Sequence, residues 1–275
     1  MAIPYAEVIG DPIEHSKSPL IHKFWLDKLG LEGDYRAARV SSHQLPAYLR
    51  SKRYDTCWRG CSVTAPLKQE AAGLVGVPPG LCDFLGAVNC ITRTPLSCLI
   101  GTNTDLAGLA EALGDIDLAG GQVVLIGAGG AARAALCYLV RQGARRVTII
   151  CRDESKGEQL GRMMRGGTEV RSAGFDRAAG AIATANLVIN ATPMGMAGQP
   201  EIYPQIVDGL DGQSVFDMVY APVETQLVAA ARAKGGKAID GLAMLIGQAA
   251  PAFELFFGER PPRQHDGELR VRLAA

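Results

Sequence analysis

Lys68, Asn89 and Asp105 each follow a strand-like apolar stretch of the chain. Ligands gather at the carboxyl edge of an open α/β sheet, so these three side chains can face one site. An ammonium and a carboxylate meeting there make a positioned proton donor for an oxygen that gains charge. Each residue also has a plainer explanation: Lys68 alone reads as a solvated surface charge, and Asp105 as the N-cap of the helix that follows it. Ser16 and Ser18 lie in the polar loop Asp11-Pro-Ile-Glu-His-Ser-Lys-Ser-Pro19. They read either as turn chemistry, with Ser18 the N-cap and Pro19 the first helical residue, or as two hydroxyls suited to a small polar ligand.

The second chemical feature is Val123-Val-Leu-Ile-Gly-Ala-Gly-Gly-Ala-Ala-Arg-Ala134, a buried strand running through a glycine turn into a helix. Gly127, Gly129 and Ala132 fit the G-x-G-x-x-G/A dinucleotide fingerprint. The first glycine permits the turn, the second lets backbone amides approach a pyrophosphate, and the alanine lets helix and strand pack closely. The helix N-terminus then holds the anion. A strand at Arg146–Cys151 follows at βαβ spacing, and Arg152, Asp153 and Lys156 stand where the adenosine ribose is read.

These residues need elements to carry them. Strands are predicted at Tyr5–Gly10, Tyr35–Val40, Trp58 to Pro66, Cys90–Arg93, Val123–Ile126, Arg146–Cys151, Asn186–Asn190 and Val215–Tyr220. Helices are expected from Pro19, with Leu20, Phe24 and Leu29 beginning its apolar face, then at Leu45–Arg50, Ala107–Leu113, after Gly129, from Arg152 toward Arg171 with glycine interruptions, Thr225–Lys234, and from Ile239 on. Pro251 is expected to kink or break the last of these, and the tail beyond Gly258 to be loosely ordered before a final short helix. Strand and helix alternate, which indicates an α/β class with a mostly parallel sheet. The chain reads as two domains: an N-terminal open α/β substrate domain, 1–105 plus 240–275, and a Rossmann-type dinucleotide-binding domain, 106–239, with the cleft between them.

With 275 residues, 48% hydrophobic and 20% charged, the composition is that of a globular chain. The formal net charge is zero, which argues against nucleic acid or an anionic membrane as partner. No apolar run approaches the roughly 20 residues that span a bilayer, and no leader pattern opens the chain, so a cytoplasmic location is expected. Seven scattered cysteines, Cys57, Cys61, Cys82, Cys90, Cys98, Cys137 and Cys151, read as reduced thiols rather than metal ligands. Oligomeric state is open, a homodimer being one option.

In order along the chain stand Gly10-Asp-Pro-Ile-Glu-His-Ser-Lys-Ser-Pro19, Val63-Thr-Ala-Pro-Leu-Lys68, Gly86-Ala-Val-Asn89, Asn103-Thr-Asp105, Gly127-Ala-Gly-Gly-Ala-Ala132, Asn190-Ala-Thr-Pro-Met-Gly-Met196 and Gly241-Leu-Ala-Met-Leu-Ile-Gly-Gln248. In these motifs the sequence resembles the shikimate dehydrogenase family, from Val8 to about Gly258. The resemblance implies reversible reduction of 3-dehydroshikimate to shikimate with NADPH, a step of aromatic amino-acid (chorismate) biosynthesis. It implies that Ser16, Ser18, Ser62, Thr64, Asn89, Asp105, Tyr220 and Gln248 hold the substrate and that Lys68 is the acid/base, with Asp105 orienting it. It further implies a cofactor set of Gly127, Ala128, Gly129, Gly130, Ala131, Arg152, Asp153, Lys156, Thr192, Met218 and Gly241, and no metal. A quinate or aminoshikimate-type dehydrogenase and a regulatory cofactor-binding relative without turnover are the alternatives.

The chain departs from the family at Ser62, where asparagine is usual, at Leu106, where glycine is usual, and at Ala221, where asparagine is usual. Serine is shorter and lacks the amide's fixed donor and acceptor. Family members that use NADP carry Asn-Arg-Thr-x-x-Arg where this chain has Cys151-Arg-Asp-Glu-Ser-Lys156. Arg152 and Lys156 can clamp a 2′-phosphate, whereas Asp153 would accept a ribose hydroxyl. The balance favours NADP, with NAD the alternative.

Overall fold

The computed structural model describes residues 3–78, 85–164 and 166–275. The fold divides into two compact units. The first comprises Met1–Ala107 with Ile246–Leu273 and Ala275, and the second Gly108–Leu245 with Ala274.

The first unit is built on a five-stranded sheet of order β2-β1-β3-β4-β5: β1 (Tyr5–Gly10), β2 (Asp34–Arg39), β3 (Trp58–Val63), β4 (Cys90–Arg93) and β5 (Leu99–Thr102). The first three strands are parallel, and β4 and β5 join antiparallel. Side chains alternate across a strand, so each strand feeds two cores. Ile9, Cys61, Val63 and Ile91 pack with Leu45 and Leu49 of α2 (Leu45–Lys52). Ala6, Val8, Tyr35 and Cys90 line the opposite core with Ala252 and Phe256. Glu7 is buried on β1, where the Lys52 ammonium (2.7 Å) and the Tyr48 hydroxyl (2.7 Å) satisfy its carboxylate.

α1 (Ser18–Leu29) begins at Ser18 itself, with Lys17 in the N-cap position and no side chain closing the cap. The expected capping role of Ser18 is therefore replaced: Ser18 is the first helical residue and is buried. α3 (Lys68–Ala72) starts directly after the turn that ends β3. α10 (Gly241–Phe257) contains Pro251 and runs on without breaking. Proline in a helix costs about 3 kcal/mol, and burial of Ala249, Ala252, Phe253 and Phe256 outweighs it. The tail is more ordered than expected. α11 (Asp266–Ala274) buries Leu269 and Leu273 completely, and Glu268 meets Lys28 at 2.7 Å.

The second unit carries a six-stranded, all-parallel sheet of order β11-β10-β9-β6-β7-β8: β6 (Gln122–Ile126), β7 (Arg146–Ile150), β8 (Glu169–Ala173), β9 (Leu187–Asn190), β10 (Ser214–Asp217) and β11 (Ala238–Ile239). The chain enters at β6, moves outward through β7 and β8, and returns to the other side of β6 with β9. The strand order therefore reverses between β6 and β9, the place where such sheets bind ligands. α4 (Asp105–Leu113), α5 (Gly130–Arg141), α6 (Glu154–Met163), α7 (Ala178–Ile182), α8 (Pro204–Asp208) and α9 (Gln226–Ala233) complete the element order up to α10. The helix expected from Arg152 to Arg171 ends at Met163, and β8 takes up the remainder. An edge strand with Glu169 and Arg171 exposed has too little apolar alternation to read as a strand.

Among the described residues no helix is long and apolar enough to cross a membrane. Among the described residues Cys57, Cys61, Cys90, Cys98, Cys137 and Cys151 form no disulfide, and Cys82 lies outside the described residues.

Candidate active site

In the first unit the loops that leave the sheet bring the reactive groups together. β5 ends at Thr102, and Asn103 and Thr104 turn the chain into α4 at Asp105. The Asn103 side-chain oxygen accepts from the Asp105 amide (3.0 Å), while its NH2 donates to the Ala87 carbonyl (3.0 Å). Asp105 is thereby fixed to the turn before β4, and its carboxylate does not close the helix. One carboxylate oxygen accepts from Lys68 Nζ at 2.6 Å and the other from Asn89 Nδ2 at 2.9 Å. Lys68 opens α3 and its carbonyl accepts from the Val88 amide, so lysine and asparagine turns are tied by backbone as well. The Lys68 side chain is 16% exposed and that of Asp105 5%, so solvent reaches the pair from the lysine side. Among the described residues the ammonium has Asp105 as its one side-chain partner, leaving N–H groups for an external oxygen.

Asn89 is used internally: its carboxamide oxygen accepts from the Thr104 amide (2.6 Å), and its NH2 reaches Thr104 Oγ1 (3.0 Å) and Asp105. Thr64 follows β3, where its amide donates to Ile9 and its carbonyl accepts from Leu67. A Cβ on Gly10 would stand 2.5 Å from Thr64 Cγ2, so the ends of β1 and β3 meet only because residue 10 is glycine. Ser16, on the loop after β1, accepts from the Ser18 amide at 3.3 Å. Ser62 lies on β3 and accepts the Tyr35 hydroxyl at 2.8 Å. Gln248 lies on α10, half-buried.

The second unit gathers the expected cofactor residues at the reversal point of its sheet. Gly127 has φ +110°, and a Cβ there would come within 2.8 Å of Thr192 Cγ2, so the glycine turn and the turn after β9 touch. Thr192 is held by its amide and hydroxyl on Asn190 Oδ1 (3.1 and 2.7 Å). Asn190 in turn donates to Asp217 (2.9 Å), which also accepts the Thr225 hydroxyl (2.6 Å). Burial pushes the Asp217 carboxyl up, while the Thr225, Val219 and Asn190 donors pull against it. This network escaped the sequence reading, because its residues are separated along the chain and each alone looks like turn chemistry.

A dinucleotide fits these residues. Gly129 is extended at the N-cap of α5 with no side chain closing the cap, and a Cβ at Gly129 would meet nothing within 4 Å. The helix therefore presents unpaired N–H groups to open space, as a pyrophosphate requires. Ala128, Gly130 and Ala131 form the rest of that turn. Arg152 and Lys156 are exposed beyond β7. Asp153 caps α6: its carboxylate accepts the Ser155 hydroxyl (2.5 Å) and amide (3.2 Å), and the Ser155 hydroxyl chiefly holds its carboxyl below the usual range. Its other carboxylate oxygen stands 4.0 Å from Lys156 Nζ, so Asp153 is engaged by both Ser155 and Lys156. Gly241 packs on the turn after β10, where a Cβ would fall 2.5 Å from the Met218 carbonyl oxygen. Tyr220 is half-buried on that turn.

Family models cover most of the chain in the same order. Residues 8–91 match the shikimate dehydrogenase substrate binding domain, 108–197 match shikimate / quinate 5-dehydrogenase, and 241–265 match the shikimate 5'-dehydrogenase C-terminal domain. A shikimate dehydrogenase (NADP(+)) of Sphingopyxis alaskensis is 47% identical over 274 residues, 100% of this chain and 98% of the relative. The chain belongs to the shikimate dehydrogenase family. Solved family structures superpose closely. Shikimate 5-dehydrogenase of Thermus thermophilus, in complex with NADP(H) and shikimate, is 33% identical with a TM-score of 0.83, covering 98% of this chain and 100% of that one. Quinate dehydrogenase of Corynebacterium glutamicum, in complex with NAD, is 30% identical with a TM-score of 0.86, covering 98% and 99%. The family fold agrees with the expected pairing of an open α/β domain and a Rossmann-type domain.

Proposed function

We propose that this chain is an NADP-dependent shikimate dehydrogenase, interconverting 3-dehydroshikimate and shikimate with Lys68 as acid/base. The observation that carries the reading is the Lys68–Asp105–Asn89 constellation, a partly exposed ammonium aimed by a buried carboxylate that is itself fixed on both oxygens. Residues 1–105 with 240–275 form the substrate domain, and 106–239 the cofactor domain. Bound NADPH supplies a hydride to the carbonyl carbon. Lys68 gives the carbonyl oxygen a proton as negative charge develops there, becoming a neutral amine that solvent reprotonates through its exposed side. In the reverse direction the neutral amine takes the hydroxyl proton. Asp105 holds the lysine in line and accepts from a neighbouring substrate hydroxyl. Ser16, Ser18, Ser62, Thr64, Tyr220 and Gln248 hold the remaining hydroxyls and the carboxylate, and Asn89, expected among them, instead fixes Asp105 and Thr104 beneath the substrate.

Gly127 to Ala131 take the pyrophosphate, and Thr192, Met218 and Gly241 shape the nicotinamide side. Arg152 and Lys156 neutralise the 2′-phosphate, two cations against its charge. The test is a spectrophotometric assay of NADP+ reduction with saturating shikimate, repeated on Lys68→Ala. Turnover falling about two to four decades, with NADPH binding unchanged, is expected. Unaltered turnover in the variant, or a wild-type protein that oxidises quinate and not shikimate, overturns the reading.

A further inference from the structure

Tyr35 is a fully buried residue of β2 whose hydroxyl donates to Ser62 Oγ at 2.8 Å. The two are separated by a strand. In register, Tyr35 faces Ala6 of β1, and Ala6 faces Gly60 of β3, whereas Ser62 faces Val8. The tyrosine side chain therefore crosses β1, over the small Ala6, and reaches β3 two residues further toward the carboxyl edge, about 7 Å along the strand. It meets Ser62 from the core side. Thr64 comes two residues after Ser62, just past the end of β3, so Ser62 is the last residue of that strand face before the carboxyl edge of the sheet.

The hydroxyl pair has a direction. A phenol is a better donor than an aliphatic alcohol, and burial raises Tyr35 well above its ordinary value, so it keeps its proton and donates it. Ser62 Oγ accepts, and its own proton has no acceptor among the described residues. A hydroxyl that accepts one hydrogen bond is a stronger donor in the next. The ring is locked in turn: His22 of α1 stacks flat on it, centroids 3.9 Å apart and 2° between planes. Ser18 lies one turn before His22 on the same face of α1, which places the first turn of that helix over the same patch.

We propose that Tyr35 is a positioning residue that aims the Ser62 hydroxyl as a donor toward a hydroxyl or carboxylate oxygen of the substrate. Ser62 then does with a relayed proton what the family's asparagine does with an amide, and Tyr35 becomes part of substrate specificity without touching substrate. This rests on the functional reading above, since it needs the substrate at the carboxyl edge of the first sheet.

The experiment is a double-mutant cycle on steady-state kinetics with shikimate and NADP+. Tyr35→Phe keeps the ring stack and deletes the hydroxyl. It is expected to raise KM for shikimate about 5- to 10-fold, with kcat falling less than KM rises and KM for NADP+ unchanged. Ser62→Ala should do the same, and the double variant should be no worse than either single one. Ser62→Asn, which carries its own donors, should make KM insensitive to Tyr35→Phe. A merely structural hydroxyl pair would lower Tm and leave KM where it was, which overturns the proposal, as do additive KM effects. Should Tyr35→Phe fail to fold, an unchanged KM in Ser62→Ala alone overturns it. A wild-type protein inactive on shikimate overturns the functional reading instead, so the two failures are distinct.

Discussion

His22 sets the sharpest prediction for stability. Its imidazole is fully buried, and neither ring nitrogen has a hydrogen-bond partner among the described residues. The rings around it are Tyr35, Trp25, Phe253, Phe256 and Phe257, none of which titrates between pH 3 and 7. Desolvation alone pushes the imidazole down from 6.5 to about 3. In the unfolded chain the ring protonates near its ordinary value, whereas in the folded chain it stays neutral. Between those two values the unfolded state binds the extra proton, so stability present above about pH 6.5 is lost as pH falls toward 3. At pH 5 the loss is one and a half pH units at 1.36 kcal/mol each, or roughly 2 kcal/mol. The assay is urea unfolding followed by tryptophan fluorescence at pH 7 and pH 5. Both tryptophans, Trp25 and Trp58, belong to the first unit and report on its unfolding. His22→Phe removes the titrating group, keeps a ring against Tyr35 and deletes two unpaired polar atoms, so it should lose about 2 kcal/mol less than wild type between the two pH values. Equal losses in the two proteins would refute the argument, since the burial of His22 would then not govern its protonation.

Two further expectations test the second unit. Arg152→Ala should cut kcat/KM for NADP+ by about 10- to 100-fold, the scale of a lost charge-assisted hydrogen bond, and leave NAD+ nearly unaffected. Parallel kinetics with both cofactors decide it, and an equal loss for NAD+ would remove Arg152 from phosphate recognition. Gly127→Ala forces an L side chain to φ +110° and brings its Cβ within 2.8 Å of Thr192 Cγ2, so it should lower Tm and weaken NADPH binding at least about tenfold. Thermal unfolding and a fluorescence titration with NADPH measure both effects.

The sequence disclosed its reactive residues better than it disclosed what holds them. Lys68 and Asp105 were legible because each follows a strand that runs to the same edge of the sheet, whereas Asn89 precedes β4 and reaches that edge only because β4 runs antiparallel to its neighbours. The glycine turn was legible for the same reason, since close backbone approach restricts residue type locally at Gly127. Where a local rule and burial disagreed, burial decided. Pro251 sits within α10 because the face carrying Phe253 and Phe256 is buried, a context no local window contains. β8 carries charged side chains at an edge and so hides the alternation by which strands are found. Positioning contacts are the least legible of all. Lys68 and Asp105 are 37 residues apart and Tyr35 and Ser62 are 27 apart, and only sheet register brings either pair together. Tyr35 looks in sequence like any apolar-facing strand tyrosine. Its reach to Ser62 depends on Ala6 being small in the strand between, because a larger side chain on that face would block the ring's passage over β1. Ala6→Leu should therefore reproduce the kinetic defect of Tyr35→Phe without altering either hydroxyl, raising KM for shikimate by separating the pair. An Ala6→Leu protein that folds and keeps wild-type KM would mean that Ser62 works without Tyr35.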